Sequence, residues 1–245
     1  MHIGFPHPRR GEMTKPITLV ILPGLDGTEV LFRPLLALLP DWIQPVVICY
    51  PASGPNEYAG LLEIVREKIA GLPRFIVLAS SFSGPLSIML AAAEPDRVRG
   101  LILSATFLRA PGRHLSSLRL IACGPIIWIM RTARRIPIWT LRRRDDPYRQ
   151  AKAEIWRRVS ARCLAKRTRA ILGVDVRELS SKCEAPMLCI HFADDKVVPR
   201  EFSEEILCYQ PSAQIVTIPG DHFALWKNAA CWTAAITRFA QGLRG

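Results

Sequence analysis

The sequence lacks the cysteine and histidine patterns that hold metal ions or build disulfide frameworks. Its seven cysteines are an odd number, and none forms a CxxC pair or a Cys/His metal-binding spacing. We interpret them as reduced thiols, which are typical of a cytoplasmic protein, and we expect no metal site. They lie at positions 49, 123, 163, 183, 189, 208 and 231.

Long apolar runs are also missing. A membrane-spanning helix needs about 18 or more consecutive apolar residues, and the longest candidate, residues 121–130, is shorter and contains Gly124 and Pro125. The first 14 residues have no apolar core and no small-residue cleavage site, so they do not resemble a signal peptide. We therefore expect residues 1–14 to form a loose tail and the protein to be cytoplasmic.

Acidic residues are scarce in one part of the chain only. Residues 109–185 carry 19 Lys and Arg against 6 Asp and Glu, whereas the rest of the chain carries 14 against 15. The net charge of +12 therefore belongs to this segment, which shows helical patterns and no strand pattern. We predict a basic helical cap at 109–185, inserted into an α/β core formed by residues 15–108 and 186–245.

Short apolar segments alternate with amphipathic patterns in the predicted core. Strands that are apolar on both faces and are joined by helices indicate a parallel sheet covered on both sides. The prediction is an α/β fold with a doubly wound, mostly parallel sheet, which binds ligands at the carboxyl ends of its strands. Strands are predicted at 17–22, 46–50, 75–79, 101–104, 187–192 and 215–218, and helices at 57–72, 84–93, 201–209 and 224–243.

A serine-rich turn follows the third predicted strand and precedes a helix. A nucleophile on such a sharp turn needs small residues two positions before and after it. Ser81 meets this requirement, with Ala79 before it and Ser83 after it, followed by Gly84. Ser80 and Ser83 are the competing hydroxyls, and a turn that only caps the next helix is the alternative without catalysis.

An acid and a histidine follow two later strands. Asp195 lies in a D-x-x-V-P turn after the fifth strand, and its neighbour Asp194 is the alternative acid. His222 follows the sixth strand in a glycine-containing turn, whereas His191 lies within a strand and is expected to be structural. A nucleophile, a base and an orienting acid are the parts of an activated-serine mechanism. Taken separately, Ser81, Asp195 and His222 could each be an ordinary loop residue. Because all three directly follow strand ends, the sequence favours a single catalytic site that contains them.

A fourth turn follows the first strand, in LPGLDGT (22–28). Gly24 allows another backbone segment to approach closely. A phosphate-binding loop is the alternative for such a glycine-rich turn. Neither G-x-G-x-x-G nor G-x-x-x-x-G-K-[ST] is present, which disfavours that alternative.

Taken together, these turns resemble those of the α/β-hydrolase superfamily, and in particular a serine esterase or lysophospholipase-like subgroup. The elbow motif G-x-S-x-G of that superfamily has Ala79 and Ser83 here in place of both glycines, and Pro23-Gly24 replaces the more usual His-Gly. The matching segments are LPGLDGT (22–28), ASSFSG (79–84), ADDKVVP (193–199) and PGDHF (219–223).

The resemblance implies a carboxylic ester hydrolase that cleaves an ester or thioester without a metal or organic cofactor. Ser81 would attack the acyl carbon, His222 would take its proton, and Asp195 would orient the histidine. The backbone N–H groups of Leu25 and Phe82 would form the oxyanion hole.

The expected partner is a small-molecule acyl ester, with no nucleic acid. The basic cap, densest at Arg142, Arg143 and Arg144, suits an acidic carrier protein or an anionic lipid surface. The chain would then act as a carrier-protein ester esterase of the pimeloyl methyl ester type. A solvated helix face explains the same charges without a partner, and a non-catalytic binding protein on a hydrolase scaffold is the remaining alternative.

Overall fold

The computed structural model describes residues 16–110 and 146–244. Within them, six strands form one sheet in the order β2-β1-β3-β4-β5-β6, and every neighbouring pair is parallel. The parallel α/β sheet predicted from the alternating apolar segments is therefore confirmed. The strands are β1 (Ile17–Leu22), β2 (Ile43–Val47), β3 (Phe75–Ser80), β4 (Val98–Ser104), β5 (Met187–Phe192) and β6 (Gln214–Ile218).

Helices connect the strands and cover both faces of the sheet. Those in the described residues are α1 (Arg33–Leu38), which follows a 3-10 turn at Val30–Phe32, α2 (Tyr58–Lys68), α3 (Gly84–Ala93), α4 (Pro147–Arg158), α5 (Ala161–Leu172), α6 (Arg177–Ser181), α7 (Arg200–Tyr209), α8 (Ala224–Lys227) and α9 (Ala229–Gly242).

Two apolar clusters, one on each face of the sheet, form the core. Because side chains alternate along a strand, Val20 and Leu22 of β1 pack in the cluster that contains α2, α3 and α7. Leu19 and Ile21 pack in the other cluster, with α1 and α9 and the fully buried Trp232. Both faces of the sheet are thus covered, which explains why the inner strands β3 and β5 are buried along their whole length.

The structure corrects several predicted elements, and β4 begins at Val98 instead of 101. The second strand spans Ile43–Val47 instead of 46–50, because its register with β1 runs from Ile43 to Val47 and the chain then leaves the sheet. The turn and short helix at 30–38 were not predicted. The last predicted helix, 224–243, is two helices with a break at Asn228, whose side chain donates to the Pro219 carbonyl at 3.2 Å.

The segment that connects β4 to β5 leaves the sheet layer and returns to it at the same place, where its two ends are hydrogen-bonded to each other. The amide of Ala110 donates to Val174 O, and that of Val176 donates to Leu108 O, both at 2.8 Å, with a bridge between Arg109 and Asp175. We name residues 108–110 and 174–176 the insertion base. Helices α4 and α5 lie within the insertion, whereas α6 follows it and packs against α3 and α7.

The division of the chain into tail, core and cap stays a prediction. The tail at 1–14 and residues 111–145 of the predicted cap lie outside the described residues, and the boundaries 109 and 185 stay predictions. Six cysteines lie in the described residues, and all six are free thiols. No helix within 16–110 or 146–244 is both long and apolar enough to cross a membrane. The cytoplasmic location stays a prediction.

Candidate active site

The serine turn, residues 80–84, joins β3 to α3. Ser81 has a φ of 50°, in the left-handed region that non-glycine residues rarely adopt. Ser80 and Ser83 are buried, whereas Ser81 is partly exposed. The sharp turn therefore leaves the Ser81 side chain accessible to solvent and buries the side chains of Ser80 and Ser83.

Contacts to its backbone carbonyls hold the serine turn. The carbonyl of Ser81 accepts from the Thr106 hydroxyl, and that of Phe82 accepts from the Tyr58 hydroxyl at 2.9 Å. A Cβ on Gly84 would overlap the Thr106 side chain. Glycine is therefore required at position 84 by close packing, a requirement that was not identified from the sequence.

The hydroxyl of Ser83 has a structural role. It donates to the carbonyl of Pro23 and contacts the hydroxyl of Tyr50. The serine turn is thereby tied to the first loop, which we define as residues 22–28. Burial raises the pKa of Tyr50 and of Tyr58, so both phenols keep their protons and can donate them.

The acid turn, residues 193–199, follows β5. Asp195 is buried, and its Oδ1 accepts from the backbone amides of Val197 at 2.8 Å and Val198 at 2.9 Å. Its Oδ2 lies 2.7 Å from Nδ1 of His222. Asp194 is exposed. Asp195, and not its neighbour Asp194, therefore contacts the histidine.

The histidine turn, residues 219–223, follows β6 and places His222 between the acid and the serine. Nε2 of His222 lies 3.1 Å from Oγ of Ser81. An ionised carboxylate has no proton to donate, so Nδ1 carries the ring proton and Nε2 is left as an acceptor. The Ser81 hydroxyl can therefore donate to His222, in the arrangement that a general base requires.

A backbone bond joins the acid turn to the histidine turn. The amide of Asp194 donates to the carbonyl of Gly220 at 2.9 Å. Gly220 has a φ of 123°, a conformation that L side chains rarely adopt. The relative position of Asp195 and His222 is thus fixed by main chain as well as by their own hydrogen bond.

The first loop lies against the serine turn. A Cβ on Gly24 would sit 3.9 Å from Cβ of Ser81. This is an ordinary contact distance, so the close approach expected at Gly24 is not a tight steric requirement. Gly27, with a φ of 68°, is the glycine that this turn requires.

The two backbone amides expected to form the oxyanion hole are not used in hydrogen bonds within the described part of the chain. Leu25 N–H has no acceptor among the described residues, and Phe82 N–H lies in a first helical turn, where such groups lack helical partners.

Two other ionisable groups near these turns are buried. Burial raises the pKa of Asp26, whose carboxylate accepts from the Thr28 amide at 2.9 Å. Burial lowers the pKa of His191, which lies within β5 as expected. No cluster of three or more His, Cys, Asp or Glu side chains that could hold a metal ion occurs in the described part of the chain.

Several residues that shape the site were not identified from the sequence. Tyr58, Thr106 and Arg167 contact the serine turn or the first loop from distant segments. Asn56 acts one step further away, since its Oδ1 accepts from Nε of Arg167. Arg167 carried a usable signal, because it lies between Cys163 and Ile171 on the buried face of α5, where an apolar residue is the usual choice.

The proposed docking charges fall partly outside the structure. Arg142, Arg143 and Arg144 lie outside the described residues. Arg157 and Arg162, in the described part of the insertion, have exposed side chains. Recognition of an acidic carrier protein or an anionic lipid surface stays a prediction.

Comparison with solved structures finds the same fold in other proteins. Solved structures with the same fold include an enol-lactonase from Burkholderia xenovorans, with 18% identity, 94% of both chains covered and a TM-score of 0.75. A hydrolase from Pseudomonas aeruginosa has 23% identity, covers 94% of this chain and 91% of its own, and has a TM-score of 0.74. A structure reported with carboxylesterases of Nitrososphaera gargenis has 16% identity, with 94% and 92% covered and a TM-score of 0.78.

These low identities establish the fold alone. A search of curated protein sequences gave no match. The model of the Alpha/beta hydrolase family matches residues 19–235, which is most of the chain. The protein therefore belongs to the alpha/beta hydrolase family.

Proposed function

We propose that this protein is a serine hydrolase that cleaves carboxylic esters, or thioesters, through an acyl-enzyme on Ser81. The observation that carries the proposal is the chain of contacts from Ser81 Oγ to His222 Nε2, 3.1 Å, and from His222 Nδ1 to Asp195 Oδ2, 2.7 Å. The three side chains follow three different strands of one parallel sheet, at the edge where such sheets bind ligands.

The first half of the reaction forms the acyl-enzyme. His222 takes the hydroxyl proton as Ser81 Oγ bonds to the acyl carbon, and the carbonyl electron pair moves onto its oxygen. The amides of Leu25 and Phe82 would donate to that oxyanion. As the carbonyl reforms, the bond to the alkoxide or thiolate breaks, and His222 returns the proton to the leaving group.

The second half releases the acid. Water gives a proton to His222 and its oxygen bonds to the same acyl carbon, after which the bond to Ser81 breaks and the hydroxyl regains the proton. Asp195 stays ionised and stabilises the imidazolium that forms twice in the cycle. No other reactant than the ester and water is needed. The esterase and lactonase activities named for the structural neighbours are consistent with this chemistry.

Covalent labelling tests the proposal without knowledge of the natural substrate. A fluorophosphonate probe should modify the protein at Ser81, identified by mass spectrometry, and wild type should hydrolyse p-nitrophenyl butyrate. Ser81→Ala should lose both reactions while keeping its melting temperature. Ser80→Ala, the matched control one residue away, should keep both. Labelling at another residue, or unchanged turnover in Ser81→Ala, would refute the proposal and leave a binding protein on this scaffold as the better explanation.

A further inference from the structure

Arg167 of α5 is a charged side chain buried inside the protein, with 1% of its surface exposed. Its Nε donates to Asn56 Oδ1 at 2.7 Å, and its Nη2 donates to Pro51 O at 3.1 Å. Its Nη1 donates to two carbonyls of the first loop, Leu25 O at 2.9 Å and Asp26 O at 2.8 Å. A buried cation is tolerated only when such acceptors replace water.

These bonds complete a regular pattern in the first loop, where five consecutive carbonyls each accept a hydrogen bond. Donors come from the serine turn, from the loop itself, from the insertion and from the end of the segment after β2. The pairs are Pro23 with the Ser83 hydroxyl, Gly24 with the Gly27 amide at 3.0 Å, Leu25 and Asp26 with Arg167, and Gly27 with the Tyr50 amide at 2.9 Å.

Fixed carbonyls fix the amides as well. In a trans peptide the N–H points opposite to the C=O of the same unit. The Leu25 amide belongs to the peptide whose carbonyl, Gly24 O, is turned towards Gly27. Its N–H is therefore turned the other way, without an acceptor among the described residues. Arg167 holds the two peptides that follow, so this orientation cannot relax by rotation of its neighbours.

The loop is also shaped to admit the guanidinium. A Cβ on Gly27 would lie 2.5 Å from Nη1 of Arg167 and 2.9 Å from Cβ of Tyr50. The guanidinium carbon lies 5.3 Å from the centre of the Tyr50 ring. With four donors engaged by the protein, Arg167 is not arranged to bind a substrate anion.

We propose that Arg167 is a positioning residue, which holds the first loop so that the Leu25 amide serves as an oxyanion donor. It thereby makes the reactivity of Ser81 depend on helix α5 of the insertion. This inference rests on the proposed function, since an oxyanion donor matters only if Ser81 is acylated.

The experiment measures the second-order rate constant for fluorophosphonate labelling of Ser81, because the phosphonyl oxygen occupies the oxyanion position. Arg167→Lys keeps the charge but loses the planar set of donors. Asn56→Ala removes the Nε acceptor together with the longer contacts that Asn56 Nδ2 makes to Pro51 O, Gly54 O and Cys163 Sγ. Asn56→Asp loses those longer contacts as well but keeps an acceptor for Nε, so a comparison of the two variants isolates the acceptor. The matched control is Arg97→Met. Arg97 also donates to backbone carbonyls, Ile69 O at 2.5 Å and Leu72 O at 2.6 Å, but at the opposite end of the sheet.

Loss of a whole oxyanion donor slows catalysis by about 10²–10³-fold, and a displaced donor should cost part of that. We expect labelling to slow roughly 10- to 100-fold in Arg167→Lys and Asn56→Ala, with the labelled fraction at end point unchanged. Asn56→Asp should stay within about threefold of wild type. Arg97→Met should lower the melting temperature and leave the labelling rate unchanged.

Two outcomes would overturn the inference, and they differ. If wild type is labelled at Ser81 and Arg167→Lys and Asn56→Ala lose stability but label at the wild-type rate, Arg167 is structural only. If wild-type Ser81 is not labelled at all, the proposed function fails and the inference fails with it. Should Arg167→Lys not fold, the Asn56→Ala and Asn56→Asp pair decides alone.

Discussion

Replacement of Asp195 by asparagine isolates the orienting role of the acid, because it keeps the shape and removes one charge. In wild type, Oδ1 accepts from the amides of Val197 and Val198, and Oδ2 faces His222. An amide has one oxygen and one NH2 group. With the oxygen in the Oδ1 position both backbone bonds survive, whereas the reverse orientation loses both, at about 0.5–1.5 kcal/mol each. The NH2 group should therefore face His222.

This orientation reverses the histidine tautomer. His222 must then accept at Nδ1 and carry its proton on Nε2, which faces Ser81 Oγ at 3.1 Å. A protonated Nε2 cannot take the serine proton. The expected loss in kcat is about 10⁴-fold, the scale found for this change in a serine triad, which corresponds to about 5.4 kcal/mol at about 1.36 kcal/mol per factor of ten.

The assay is hydrolysis of p-nitrophenyl butyrate, expressed per mole of folded protein, because the loss of the general base would also slow active-site titration with the fluorophosphonate probe. Asp194→Asn is the control, since Asp194 is exposed and its bond to Gly220 O comes from the backbone, which the substitution keeps. We expect the control to stay within about threefold of wild type. Asp195→Asn with more than about a tenth of wild-type kcat, or an equal loss in Asp194→Asn, would refute the reasoning.

Three further predictions concern packing and charge. Gly84→Ala brings a Cβ within 2.6 Å of Thr106 Cγ2. Overpacking that costs about 1–3 kcal/mol should lower the melting temperature together with the Ser81 labelling rate, and normal values of both would contradict the packing argument. Trp232→Ala should destabilise by about 3–5 kcal/mol in chemical denaturation, and a cost below about 1 kcal/mol would show that the cavity collapses. The hydrogen bond from Arg158 lowers the pKa of Glu29 from 4.5 to about 2. Glu29→Gln should therefore be less stable than wild type above pH 4.5, and this difference in stability should vanish as pH falls through about 2. A difference independent of pH would contradict the ion pair.

The contacts between Ser81, Asp195 and His222 arise from features that are visible in the sequence. Each side chain lies in a turn directly after an apolar strand, and a parallel topology brings such turns to one edge of the sheet. The choice of Asp195 over Asp194 also has a local cause. Val197 is two residues after Asp195, and aspartate side chains commonly accept from the amide two residues on.

The remaining parts of the site depend on tertiary contacts that no local pattern predicts. Arg167 and Leu25 are 142 residues apart, and Tyr58 and Phe82 are 24 apart. The second strand was misplaced because Gln44 and Pro45 interrupt the apolar pattern of 43–47, whereas 46–50 is apolar throughout; only the pairing with β1 shows that the strand begins at Ile43. The insertion gave a clear compositional signal, but its contacts with the first loop did not.

The insertion base has a consequence for how such a protein can diversify. Because Ala110 and Val174 are joined by a backbone hydrogen bond, as are Leu108 and Val176, both ends of the intervening chain are held together independently of its side chains. Backbone pairing of this kind accepts almost any sequence between its ends, so one insertion could be exchanged for another without disturbing β4 or β5. If Arg167 has the positioning role that we propose, a replacement insertion would still have to supply equivalent hydrogen-bond donors to the first loop, and that requirement limits which exchanges keep Ser81 reactive.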